Sequence, residues 1–299
     1  MAMAHAHTVV CPGHERSIMD LCYSPDPCGG SLLLSASMDR RAILRDGECG
    51  DWIRTFAEQT SSVWNCSLNI TATASTAATA SHCNAKIWDL QTGRLLHIIQ
   101  SRNLVQSCAF SKNGHSLLTG GLGYTIRIFD LEHPHGKPEI LRESNKPQRG
   151  SVLTAAWLHN DQVILSTCSL LQGVRLWDRR SGKILRTLET ESIVRSSELS
   201  QGYITTAAGS TVTFWDETDF RCVNRYKMPC MVQSASLYGN KFIAGGDDGL
   251  VRLFDFHTGE EIEQSNMGDF GTVLCVRFSP DGKSYAAGFE DGTVIIKKL

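Results

Sequence analysis

The sequence has no closely spaced cysteine pair, no excess of charge and no long apolar run, and each absence removes a class of function. Its eleven cysteines are scattered from Cys11 to Cys275, with no CxxC among them. Zinc sites need closely paired ligands, and secreted disulfide frameworks use even numbers. These thiols therefore read as small buried hydrophobes in a reducing compartment. A formal net charge of -2 offers no global attraction for phosphate backbones or anionic lipid surfaces. No apolar run approaches the roughly 18 to 20 residues that span a bilayer. Met1 to His14 lacks the basic and apolar stretches of a signal peptide. A cytoplasmic and nuclear location is expected, which leaves the sequons at Asn65 and Asn69 idle. No helical periodicity of ordinary length appears either. What remains, 41% hydrophobic and 20% charged, suits a soluble globular chain.

The dominant positive signal is internal repetition. A strand-like segment opens on an aliphatic residue and carries a large apolar residue five positions later. It recurs as Ile18/Tyr23, Val63/Leu68, Val105/Phe110, Val152/Trp157, Val194/Leu199, Val232/Leu237 and Val273/Phe278. A second landmark, aliphatic-aromatic-Asp, follows within each unit and ends at Trp88-Asp89, Phe129-Asp130, Trp177-Asp178, Trp215-Asp216 and Phe254-Asp255. The first unit keeps only the acid, as Leu44-Arg45-Asp46, and the seventh has lost both, as Ile296-Lys297-Lys298. Turn dipeptides such as Asn113-Gly114, Asp248-Gly249 and Asp291-Gly292 separate the strands, with the positive-φ chemistry that tight hairpins require. Each unit reads as a four-stranded antiparallel sheet. One such sheet cannot bury both faces alone, so the units must stack, and a ring leaves none exposed. The last unit stops one strand short, and the segment before the first repeat, His7 to Cys11, is suited to supply it.

Signals of chemistry are weak. His5-x-His7 and His133-x-His135 show no third metal ligand nearby in sequence. The run Gly120-Gly121-Leu122-Gly123 precedes a strand and reads as a hairpin, not a phosphate cradle. His14 and Asp39 resemble a catalytic dyad but fit a structural brace within the first unit. No nucleophile elbow, kinase signature or HExxH is present. No catalytic residue, cofactor site, metal site, small-molecule substrate or direct nucleic-acid contact is expected.

The repeats resemble the WD-repeat superfamily. The stretches Gly50-Asp51-Trp52-Ile53, Val63-Trp64, Leu117 to Gly121 and Ser234 to Leu237 are similar to a branch of adaptors associated with serine/threonine kinase receptors. This resemblance implies a single domain over residues 1–299, an all-β, seven-bladed propeller closed by the N-terminal strand pairing into the last blade. It implies a non-enzymatic scaffold that binds proteins in ribonucleoprotein assembly, as a subunit of the survival-of-motor-neuron complex, and in kinase-receptor signalling. Vertebrate members carry a polar tail past the last unit, where this sequence stops at Leu299. Gly13 to Ile18 and Pro280 to Tyr285 are also similar to the WD-repeat subunit of eukaryotic translation initiation factor 3, the alternative reading. A propeller enzyme with a channel-mouth site is the distant one. The superfamily's turn acid survives only as Asp39, Asp248 and Asp291, and Gly-His only as Gly13-His14. Bracing by His–Asp pairs is therefore expected to be largely absent. Trp88, Trp177 and Trp215 should be structural, with His14, Asp39, Asp248 and Asp291.

Superfamily propellers bind partners around the narrow channel mouth, through residues flanking the first-strand aliphatic and preceding the turn acid. The preceding positions are Ser17, Ser62, Leu104, Ser151, Ile193, Met231 and Thr272. The following ones are Met19, Trp64, Gln106, Leu153, Arg195, Gln233 and Leu274. The turns add Met38, Asp247 and Glu290. Among these, Met19, Met38, Trp64, Leu104, Leu153, Ile193, Arg195, Met231, Asp247 and Glu290 are the partner-binding candidates. The insertion from His133 to Gly150, with Pro134, Pro138 and Pro147, is a second candidate contact loop.

Overall fold

The computed structural model describes residues 8–26, 29–57, 59–71, 75–101, 103–142, 150–159 and 161–299. His5, His7, Cys28 and Pro147 lie outside them. Among the described residues every regular element is a strand, in an all-β arrangement of the kind a β-propeller has. Near-continuous runs of apolar and small residues, such as Ser31–Ser37 and Ala42–Asp46, suit inner strands buried on both faces.

Seven separate four-stranded sheets were expected. Five are present, together with one seven-stranded sheet. The difference lies in the strand Ile184–Ser200, which closes the fourth unit and opens the fifth without interruption. Its seventeen residues contain no Gly, Pro, Asn or Asp. The connection stays extended, with residues 189–192 left out of the pairing between Leu188 and Ile193. Most other connections carry such a breaker, as Pro229 or the pair Gly268 and Gly271, whereas the one from Phe56 to Asn65 has none and still interrupts the strands.

The N-terminal strand Thr8–Cys11 pairs antiparallel with Val294–Lys298, in register Val9↔Ile296 and Cys11↔Val294. The chain's two ends thus share one sheet. The innermost strands also contact one another in sequence. Ile18–Pro25 packs on Asn65–Ile70, which meets Val105–Phe110, then Val152–Leu158, Ile184–Ser200, Val232–Tyr238 and Val273–Phe278; the last packs back on Ile18–Pro25. Seven apolar clusters fill the spaces between neighbouring units. One joins Leu34, Leu44 and Phe56 to Ala77 and Trp88. Another joins Ile18, Leu21 and Leu33 of the first unit to Cys275, Ala286 and Ile296 of the last.

Five outer strands carry a β-bulge opposite the aromatic landmark position. The extra residues are Ile53, Leu96, Leu185, Val223 and Ile262, all between 44% and 54% exposed. A bulge kinks an edge strand and so blunts it against pairing with another chain.

The landmark tryptophans are structural. The Trp88, Trp177 and Trp215 indoles donate to Thr79 (3.0 Å), Ser166 (2.8 Å) and Thr206 (3.2 Å) on the neighbouring strand. In the second unit Gln59 stands in for the missing histidine, its Nε2 donating to the same Thr79 hydroxyl at 2.6 Å. Thr79→Val therefore strands two buried donors and should cost about 2 to 4 kcal/mol, whereas Thr206→Val strands one buried donor, the Trp215 indole, besides losing the Thr206 hydroxyl's own bond to the Thr213 carbonyl, and should cost about half as much. Urea melts of the two variants give the comparison, and equal losses would contradict a shared acceptor in the second unit.

Candidate functional site

The brace expected in the first unit is present. His14 lies fully buried with Nδ1 2.8 Å from Asp39 Oδ2 and Nε2 2.8 Å from Ser35 Oγ. Burial pushes the Asp39 carboxyl up, but the hydrogen bond and charge of His14, with the Glu15 and Arg41 amides, outweigh it and hold the carboxyl below its usual value. Both ring nitrogens of His14 are thus engaged by structural partners. Among the described residues no other His–Asp pair of this kind occurs in the units. Asp248 instead holds Arg252 (2.6 Å) and Asp291 caps Thr293. Arg45, where the first unit lacks its aromatic, is buried with its guanidinium 5.1 Å over the Trp52 ring. It donates to the carbonyls of Pro12 and Gly50.

The residues after the first-strand aliphatic come together. Met19, Trp64, Gln106, Leu153, Arg195, Gln233 and Leu274 border one cavity of about 330 Å³ at the N-terminal ends of the innermost strands. In six of the seven strands this residue is the extra member of a β-bulge: Ile18 pairs with Ser37 and Asp20 with Ala36, leaving Met19 unpaired, and the same skip recurs at Gln106, Leu153, Arg195, Gln233 and Leu274. A regular strand sends consecutive side chains to opposite faces. The bulge breaks that rule, so Met19 and Asp20 border the same cavity, as do Arg195 and Ser196, and Leu274 and Cys275.

The remaining candidates do not join this group. Met38, Leu104, Ile193 and Met231 lie outside the cavity lining, though Met231 is 49% exposed. Asp247 and Glu290 border a separate acidic groove of about 560 Å³ with Asp248 and Asp269. Two residues of the preceding ring act as staples between units. The Ser17 hydroxyl donates to Glu290 O (2.7 Å) and the Ser62 hydroxyl to Met38 O (3.3 Å).

Two readings need correction. A third metal-ligating neighbour was not expected for His133, yet Asp130, Glu132 and His133 converge on the surface, without His135. The landmark acid there caps a turn whose third residue is His133, which brings Nδ1 to 3.0 Å from Asp130 Oδ2. The ring positions named from the sequence, mostly Ser, aliphatic and Gln, also missed charged groups deeper in the channel. There Arg277 lies 3.5 Å from Asp20 and 3.7 Å from Glu198. Asn65 Nδ2 and the Cys66 amide donate to Asp20 Oδ2 at 2.6 and 3.2 Å. Burial raises Asp20 against the pull of Arg277 and the Cys66 and Leu21 amides, and raises Glu198 against Arg277, Ser236 and the Leu237 amide. Burial would lower Arg277, but Glu198 and Asp20 reverse it, and its pKa rises. Nearby thiols are pushed up by burial, Cys22 to about 12. The missed residues stand two and four positions after the strand-opening aliphatic, and only a bulge turns the second position inward.

Asp20, Ser197 and Arg277 border both this cavity and a second one of about 470 Å³ lined by later residues of six of these strands, all but Val152–Leu158. A charged layer therefore stands between two mouths.

The family model for the WD domain, G-beta repeat, matches residues 6–46, 93–130 and 264–296. A serine-threonine kinase receptor-associated protein of Dictyostelium discoideum is 40% identical over 295 residues, 97% of this chain and 98% of that one. The Gallus gallus protein of the same name is 36% identical over 290 residues, 96% of this chain and 81% of its own. Eukaryotic translation initiation factor 3 subunit I of Nematostella vectensis is 28% identical over 312 residues, 95% and 94% of the two chains. Identity of this level along nearly the whole length, on an all-β frame with WD repeats, places the chain in the serine-threonine kinase receptor-associated protein family of WD-repeat proteins.

Proposed function

We propose that the chain is a non-enzymatic scaffold, a seven-bladed propeller closed on itself, whose bulge-lined cavity docks a protein partner. The unbroken succession of contacts among innermost strands, the last packing on the first, supports the ring, with two blades merged through Ile184–Ser200. One observation carries the docking: residues from seven units converge on one mouth, and six are placed there by bulges. Trp64 and the exposed Arg195 are the residue types that dominate interface energy. The relatives' name points to receptor-associated signalling partners, and the family resemblance implies the survival-of-motor-neuron complex in cytoplasm and nucleus.

Affinity purification from the native source, with partner identification, tests this reading. The intact chain should recover small-nuclear-RNP assembly factors or kinase-receptor components. Trp64→Ala with Arg195→Ala should reduce their recovery at least tenfold, since each hot-spot truncation costs about 2 kcal/mol. Recovery of translation-factor subunits instead would favour the other relative's role. Recovery unaffected by the double variant would move docking away from this mouth.

A further inference from the structure

Two carboxylates and one guanidinium form the charged layer, so full ionisation leaves it one positive charge short. Asp20 is well supplied, with Asn65, the Cys66 amide and Arg277 around it. Glu198 is less so. The Ser236 hydroxyl and the Leu237 amide also act on its carboxyl and Oε1 faces Arg277 at 3.7 Å, but Oε2 is shielded from solvent and makes no hydrogen bond. Arg277 has little left to give, because Nη1 already donates to Ser234 Oγ (3.0 Å) and Val276 O (2.8 Å).

Glu198 borders the cavity at the C-terminal strand ends, opposite the bulge-lined mouth. Among the described residues of that lining Arg277 is the only cation; Arg195 sits at the other mouth. Tyr238, Phe278 and the exposed Pro280 supply apolar wall and rim. Glu198 stands two residues before the end of its strand, which places it about 7 Å inside the mouth at roughly 3.3 Å per residue. A backbone amide or short side chain does not reach that depth, and a long flexible one does. A divalent metal ion would want several oxygens, typically about six, and only one unengaged oxygen is offered.

We propose that this second mouth receives an arginine or lysine side chain of a protein partner, its cationic head donating to Glu198 Oε2. The charge of the layer is then balanced and the orphaned acceptor satisfied. Protons compete for the same oxygen, because burial raises the Glu198 carboxyl. The groups facing it are Asp20, Arg277 and the thiols Cys22, Cys66 and Cys108, and burial keeps those thiols neutral. Affinity should therefore fall as pH falls through the raised Glu198 value.

The test is calorimetric titration of the full chain with acetyl-Gly-Gly-Arg-Gly-Gly-amide and with the same peptide carrying citrulline, a neutral near-isostere. The arginine peptide should bind at least tenfold more tightly, and more weakly at pH 5 than at pH 7.5. Glu198→Gln should remove the preference and its pH dependence. Should that variant fail to fold, Pro280→Lys, which plants an ammonium at the exposed rim, should weaken the arginine peptide at least tenfold. Equal binding of both peptides, no binding of either, or affinity unchanged in these variants overturns the proposal. So does binding lost in Trp64→Ala and kept in Glu198→Gln, which would place the cation at the other mouth. The outcome is independent of partner capture by the bulge-lined cavity, so either reading can fail alone.

Discussion

Removing residues 1–11 should lower the melting temperature by about 10 °C or more and make the chain aggregate. The strand Thr8–Cys11 is short, but it covers Val294 and Ile296, both fully buried, and buries Cys11 itself. Losing about 200 Å² of apolar contact costs about 5 kcal/mol. A second loss follows from Arg45, whose buried guanidinium rests on the Pro12 carbonyl and the Trp52 ring. Without the strand, Pro12 has no anchor, and a buried cation deprived of its acceptor costs about 3 kcal/mol more. The exposed ladder of Val294–Lys298 then becomes an open edge. Point variants separate pairing from mere length. Val10 is 52% exposed and Cys11 1%. Val10→Asp should change stability by less than about 1 kcal/mol, and Cys11→Asp, which buries a carboxylate, by about 3 kcal/mol or more. Differential scanning fluorimetry with light scattering reads both quantities. A truncated chain that melts within a few degrees of the intact one would mean that the N-terminal strand closes nothing.

The repeat was legible because two of its demands are local. The strand-opening aliphatics such as Ile18 and Val273 must fill the wedge between sheets, and the landmark tryptophans must reach a hydroxyl on the adjacent strand. Both needs recur at fixed spacing and write themselves into composition. Turn chemistry was legible for the same reason, but the joined sheets were not: the connections after Phe56 and after Leu188 both lack Gly, Pro, Asn and Asp, and only the second stays extended. The cavity was half legible. Mapping the residue after each aliphatic found Met19, Trp64, Leu153 and Arg195, but a strict alternation of faces cannot place Asp20 or Asn65 beside them. A bulge has no local sequence mark in residues as varied as Met19, Gln106, Leu153 and Arg195. Nor can a single strand disclose that Glu198 and Arg277, seventy-nine positions apart, share one layer. That is a property of the assembled sheets.

Arg277→Met should be the most damaging single substitution in the channel, and its damage should depend on pH in a definite sense. The guanidinium faces two carboxylates, Asp20 and Glu198, whose side chains are 12% and 19% exposed. Burial already raises both above ordinary carboxylate values with the cation in place. Removing it leaves two like charges in a shielded layer, a change that costs about 3 to 5 kcal/mol for a broken buried pair. A carboxyl whose pKa is higher folded than unfolded binds its proton more tightly in the folded state. Folding is then least penalised below the unfolded value, about 4, and stability falls as pH rises through the raised folded values. In the intact chain this slope is shallow because Arg277 opposes it; in Arg277→Met it should steepen. Stability of the variant should therefore recover, relative to the intact chain, as pH is lowered from 8 toward 5. Asp20→Asn with Glu198→Gln in the Arg277→Met background removes both charges, and should restore much of the loss and flatten the pH dependence together. Urea denaturation at several pH values measures all three chains. A deficit in Arg277→Met that is the same at pH 5 and pH 8 would assign the residue a packing role and deny that its charge holds the layer.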